Sequence, residues 1–505
     1  MSSITSLTPA QIAALPTSSI AALTTDNVSL LTTAQLAGLT SAQVAALGAG
    51  DITAIASGNI TALSSTALAG LTSAEAGVLT TGQVTSLTSA QLHALSTAAA
   101  DGLGAAVTAL SNAALTGLSS TQLSALTTAQ LTALSSTQLA ALSTAAIPGL
   151  GANITAIGTT ALAGLTSTQL AALTTTAAAN LSPAQVSALS TTQLKGLSSA
   201  DIGALSTGAV AVLGTGDLAV LGSAQLAGLG TKVSALTSGS VTALTNAALA
   251  GLTSAEAAAL ATGAITSLTS TQLGALSTAA VAALGGNITA IGATTLAGFT
   301  STQLAALSTA EAAALTTDQA SALSTAQIKG LSSTDIGALS TGAISVLGTA
   351  DLAALNSTQL AGLGSKVSAL AAGNLTALTT TALAGLTSAQ VSALGANVLG
   401  LQPAQFAGLT SSAIAGLTTA TITALTASEV TSLTTAAIAG LTATEVSALT
   451  AAQITNFTSA QIHALTTSEI TELSAAQIGY FTSSQDQYFT SAQLGVMSTA
   501  QINAL

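Results

Sequence analysis

The chain has 505 residues, 49% of them hydrophobic but only 1% aromatic and 4% charged, with four lysines, no arginine, sixteen acids and a formal net charge of -12. So few cations exclude binding built on phosphate neutralisation and a polybasic membrane patch, and the absence of cysteine excludes a disulfide framework or thiolate site. The apolar content excludes a disordered chain, while the shortage of aromatics argues against a set of ordinary globular cores.

Residues 1–6 read Met-Ser-Ser-Ile-Thr-Ser, a short leader. It lacks the basic and apolar regions of a Sec signal peptide. From Leu7 a large apolar residue recurs every eight residues, at Leu15, Leu23, Leu31, Leu39, Leu47 and Ile55, and the register runs to Leu505. We letter the unit a to h from that residue. The unit at Leu39 reads Leu-Thr-Ser-Ala-Gln-Val-Ala-Ala. Ser or Thr interrupts the apolar run too often for a transmembrane helix.

Within a unit, b is mostly Ser or Thr and e mostly Gln, Glu, Asp or Asn. That spacing is a capping box, in which the b hydroxyl accepts from the e backbone N–H and the e side chain reaches back to the b N–H. Position b is then the N-cap. Pro9, Pro183 and Pro403 fall at c, the first helical position, where a missing N–H costs nothing. Positions a and f, the two large apolar sites, form the hydrophobic staple across the cap. Eleven of the sixteen acids sit at e, where the positive end of a helix favours them. Glycine at h is expected to ease the exit from each helix.

These features predict one very short capped helix per unit. Such helices are unstable alone, so they must stack, and the expected fold is an all-α solenoid spanning 7–456 and continuing in 457–505. A β-solenoid is the rival, since units such as Asn-Ile-Thr-Ala-Ile also suit strand.

Further along the chain, units of seven residues begin at Leu103, Leu150, Leu229, Leu284, Leu363 and Leu394, each opening Leu-Gly. They are expected to mark local changes in twist. The heptads at 150 and 229 recur at 284 and 363, so a 17-unit block, 150–283, is duplicated as 284–417. All four lysines obey the offset, Lys195 with Lys329 and Lys232 with Lys366.

Residues 457–505 differ in carrying five of the seven aromatics, Phe457, Tyr480, Phe481, Tyr488 and Phe489, and in placing Asp486 at the apolar position f. These six residues are candidates for an end cap or an assembly contact. Without polar end units, the array could join head to tail.

Little else suggests chemistry. His93 and His463 both fall at g, a solvent-facing position, with no second ligand beside them in sequence. The e acids could form a calcium ladder, but acids in consecutive units are rare. The serines and threonines at b are committed to capping, and no nucleophile elbow, P-loop, zinc motif or glycosidase pair of carboxylates is present. The expectation is a protein that is not an enzyme and uses no cofactor or metal. Sequons at Asn59, Asn153 and Asn287 arise readily in so Ser/Thr-rich a chain.

The units at Leu31, Leu-Thr-Thr-Ala-Gln-Leu-Ala-Gly, and at Leu39 resemble the Ala/Thr-rich octapeptide arrays of large bacterial surface or secreted proteins. The resemblance covers nearly the whole chain and implies an adhesin-like protein at the cell surface or outside the cell. The Gly-Gly-x-Gly-x-Asp nonapeptides of calcium-dependent secreted proteins are absent. The expected function is an extracellular stalk, filament or surface-layer subunit whose partner is itself. A binding module for ice or a surface, and an intracellular scaffold, are the alternatives.

Overall fold

The computed structural model describes residues 4–505. Of the leader, residues 1–3 lie outside that range, and Ile4–Ser6 form a 3₁₀ turn. Every element among the described residues is a short helix, α or 3₁₀, and no strand occurs, which removes the β alternative.

The octad frame maps directly onto these helices. In the unit from Leu87, Thr88 is the N-cap with an extended backbone, and Ser89–Ala94 is the helix. Thr88 accepts from the Gln91 N–H at 3.3 Å, and Gln91 Oε1 accepts from the Thr88 N–H at 3.0 Å. The box therefore satisfies two backbone donors that would otherwise have no partner within the helix. Pro9 and Pro183 stand at the first helical positions as expected.

The chain forms two compact units, Met1–Leu252 with Ala259–Ala264, and Thr253–Ala258 with Ile265–Leu505. Within each, a helix packs on the helix three repeats further along: Pro9–Ala13 on Thr33–Ala37 in the first, and Ala443–Ser447 on Thr467–Glu472 in the second. Positions a and f form the core, with Leu92 at 0% exposed and Leu95 at 4%. A helix this short buries too little surface alone, so neighbouring turns supply its stability.

Glycine at h has a different role from the one expected. The backbone at Gly38 stays right-handed, at φ -82°. What Gly70 provides is space, because a Cβ there would lie 2.0 Å from the Ser41 carbonyl oxygen of the facing helix. The same close approach recurs at Gly164 against Ser136 and at Gly416 against Ser388. These glycines let backbones on successive turns touch.

Among the described residues, all those at positive φ are the second residues of the heptads: Gly104, Gly151, Gly230, Gly285, Gly364 and Gly395, at φ between 44° and 56°. A Cβ at any of them would meet nothing within 4 Å, so the requirement is conformational alone. Each heptad helix is 3₁₀; in five of them the leucine before the glycine is the right-handed N-cap without a side-chain bond, while the heptad at 150 lies within Ile147–Ala156, which breaks at Gly151. Octads with Ala56, Ala371 or Gln402 at b also give 3₁₀ helices without a side-chain cap.

Candidate functional site

The most regular polar feature is the e side chain, and it is buried. Gln83 is 0% exposed, Gln43 2% and Gln453 1%. Capping occupies only its oxygen. The amide nitrogen points the other way, into the preceding turn. Gln83 Nε2 donates to the carbonyl oxygens of Ile52 at 2.7 Å and Ile55 at 2.8 Å. Gln43 does the same to Ile12 and Leu15 at 2.7 and 2.9 Å, and Gln453 to Ile422 and Leu425 at 2.6 and 2.7 Å. One amide therefore closes its own helix and holds the C-terminal carbonyls of an earlier one. Capping chemistry pointed to the first role. The second had no sequence signal beyond a preference for Gln over Glu.

The ladder counts units rather than residues. In unbroken octads the partners lie 31 and 28 residues back, as for Gln83. Where a heptad intervenes the separations fall to 30 and 27. Gln122 reaches Leu92 and Leu95 across the heptad at 103, and Gln303 reaches Leu273 and Leu276 across the one at 284. A one-residue deletion is thus absorbed within its own turn, and the contact pattern continues.

Two lysines take the amide's place. In the heptads Lys232 and Lys366 stand just before the buried Val233 and Val367, where octads carry Gln. Lys366 Nζ donates to the carbonyls of Gly337 at 2.6 Å and Leu339 at 2.7 Å. Lys232 donates to Gly203 and, at 2.7 Å, to Leu205. The other pair is exposed: Lys195 and Lys329 line equivalent shallow depressions beside Ser167 and Thr168, and Ser301 and Thr302.

The C-terminal candidates divide by burial. Phe457, Phe481 and Phe489 occupy position a and lie inside the core, with edge-to-face ring contacts at 6.3 Å between the first two and 4.9 Å between the last two. As position-a side chains they pack inward, so they are not surface contacts. Tyr480 is exposed at 38%, and Tyr488 is half-buried with its ring 6.1 Å from the exposed His463. Asp486 is half-buried; its Oδ1 has no partner, and burial pushes its carboxyl above the usual range. His93 is exposed and its Nδ1 lies 3.0 Å from the Gly117 carbonyl oxygen.

The e acids cap as expected. Asp201 Oδ2 accepts from the Ser198 N–H at 3.1 Å, and Glu75 Oε2 from the Thr72 N–H at 2.7 Å. Among the described residues no helix is long and apolar enough to cross a membrane.

No curated protein matches the chain. Residues 179–207 and 328–365 match the model of the ALTTAQ repeat. Residues 125–130 spell Ala-Leu-Thr-Thr-Ala-Gln, from h of one unit through e of the next, so that word contains the staple residue, the N-cap and the bridging amide. The chain is a repeat protein, similar over those two stretches to the ALTTAQ repeat.

Proposed function

We propose that this chain is a non-catalytic structural protein, acting outside the cell or at its surface, that builds a stalk, filament or surface layer by associating with itself. One observation carries the reading. The C-terminal units expose apolar side chains at position f that their equivalents elsewhere bury: Leu494 at 38% and Ile502 at 44%. Contiguous exposed apolar residues mark interaction surfaces.

A second copy of the chain is the occupant. At the other end Gln11 caps its own helix, accepting from the Thr8 N–H at 2.8 Å, while its side chain is exposed. Elsewhere the same amide holds carbonyls of an earlier turn. Stacking one copy's first units on another's last would bury the apolar residues and give Gln11 such carbonyls. Two further features suit an exterior protein. Only Lys195 and Lys329 are exposed among the four lysines, leaving trypsin-like proteases little to cut. The b hydroxyls are occupied by capping, which leaves few nucleophiles.

Sedimentation velocity and negative-stain microscopy of the purified chain test this. Concentration-dependent association that Leu494→Glu with Ile502→Glu abolishes is the expected result. Monodisperse particles at every concentration would sink the assembly reading. Surface proteolysis of intact cells tests the location.

A further inference from the structure

We infer that Glu445 and Glu469 are built as proton-binding sites, each holding a neutral carboxylic acid in a slot shaped for a glutamine amide. The slot is defined by their neighbours. Gln453 donates to Ile422 and Leu425, and Gln477 to Val446 and Leu449. Moving one unit back along the array places the carbonyls of Ile414 and Leu417 opposite Glu445, and those of Ile438 and Leu441 opposite Glu469.

Each glutamate performs the capping half of the role. Glu445 Oε2 accepts from the Thr442 N–H at 2.6 Å, and Glu469 Oε2 from the Thr466 N–H at 2.5 Å. Their second oxygens are buried without a partner, in residues only 2% and 4% exposed. A carboxylate cannot donate to a carbonyl, whereas a protonated Oε1 donates its O–H as the amide donates its N–H. A proton adds no volume to the slot.

The surroundings favour the neutral form. The two glutamates lie on helices packed against each other, Ala443–Ser447 and Thr467–Glu472. Glu472, exposed, is the other titratable group on that pair. The helices packed on their outer sides, Thr419–Ala424 and Ser491–Val496, carry none. Of the helices adjacent in sequence, only Ser459–Ala464 carries a titratable group, the exposed His463. No lysine lies on any of them. Burial, the largest influence, raises both carboxyls above the ordinary 4.5, against the lowering effect of the threonine hydrogen bonds.

Glu311 is the contrast. Its Oε2 accepts from the Ser308 N–H and its Oε1 from the N–H of the heptad residue Gly285, both at 2.8 Å. Each of its oxygens has a backbone donor, and neither is left buried without a partner.

The sign follows from linkage. The folded chain holds these two protons to a higher pH than the unfolded chain, so their contribution is complete below 4.5 and is lost as pH rises through the raised values. The C-terminal section tightens on acidification.

The test compares the full chain with Glu445→Gln/Glu469→Gln, following amide exchange at Val446 and Ile470 and the thermal midpoint between pH 4 and 8. The double variant is expected to exchange more slowly and melt higher at pH 7.5, with the difference vanishing near pH 4. Glu311→Gln should shift the other way at pH 7.5, because an amide N–H then faces the Gly285 N–H. A double variant that is less stable at pH 7.5, or a difference independent of pH, overturns the inference. So does stabilisation of the parent chain, but not the variant, by calcium or sodium chloride at pH 7.5, which would make the slots cation sites.

Discussion

The side-chain nitrogen of Gln83 lies 2.7 Å from the carbonyl oxygen of Ile52, thirty-one residues earlier, while its side-chain oxygen accepts from the Thr80 N–H at 2.9 Å. One buried amide thus joins a helix start to a helix end in a different turn of the solenoid. Each half has a distinct consequence on substitution.

Gln83→Leu keeps the volume and removes both halves. It leaves the Thr80 N–H and the Ile52 and Ile55 carbonyls less well satisfied, and each buried unsatisfied group costs about 1–3 kcal/mol. Long repeat arrays need not unfold in one step, so the measurement is local amide exchange. Protection should fall in the units around residues 52 and 83 and stay unchanged near residue 470.

Three glycines separate space from conformation. Gly70→Ala forces a Cβ to 2.0 Å from the Ser41 carbonyl oxygen, and the helices must move apart at about 1–3 kcal/mol. Gly104→Ala meets no atom but strains a residue at φ 56°, costing about 1–2 kcal/mol. Gly58→Ala has open space and no left-handed backbone, so it should be neutral or stabilise by about 0.4–1 kcal/mol. Urea melts of the three variants check the order.

Lys366→Met should loosen the heptad it sits in. The two bonds it removes, to Gly337 and Leu339 at 2.6 and 2.7 Å, come from a charged donor, and such bonds contribute about 1.5–3 kcal/mol each. Lys329→Met changes an exposed side chain and should leave stability within about 0.5 kcal/mol. Comparing the two melts distinguishes the half-buried lysine from the exposed one.

Asp486→Leu restores the apolar residue that position f carries in other units. Burial raises the Asp486 carboxyl and its Oδ1 has no partner, so the charge opposes folding at neutral pH. The variant should melt higher than the parent at pH 7, and the gain should shrink as pH falls towards 4. Differential scanning calorimetry across that range reads both effects.

Much of this architecture was legible because it is local. A Thr or Ser at b and a Gln or Glu at e sit three residues apart, and so do the atoms they join, as in Thr88 and Gln91. Proline at c and leucine at a obey the same short-range geometry. The Leu-Gly heptads were equally plain, and their glycines carry the left-handed backbone that only a residue without a Cβ adopts freely.

What the tertiary structure alone decided involves atoms about thirty residues apart. Nothing in the sequence around Gln83 says that its nitrogen meets Ile52, nor does the sequence around Gly70 say that Ser41 presses on it. The same is true of Glu445 and Glu469, which read as ordinary caps until the unpartnered oxygen is seen, and of the phenylalanines, whose burial depends on which face of each helix turns inward. The physical reason is range. Caps, staples and backbone handedness are settled within one unit, whereas the number of units per turn follows from how helices pack. By sequence this protein is an array of capped helices; its turn, buried amide ladder and two proton slots exist only once the third and fourth units along come into contact.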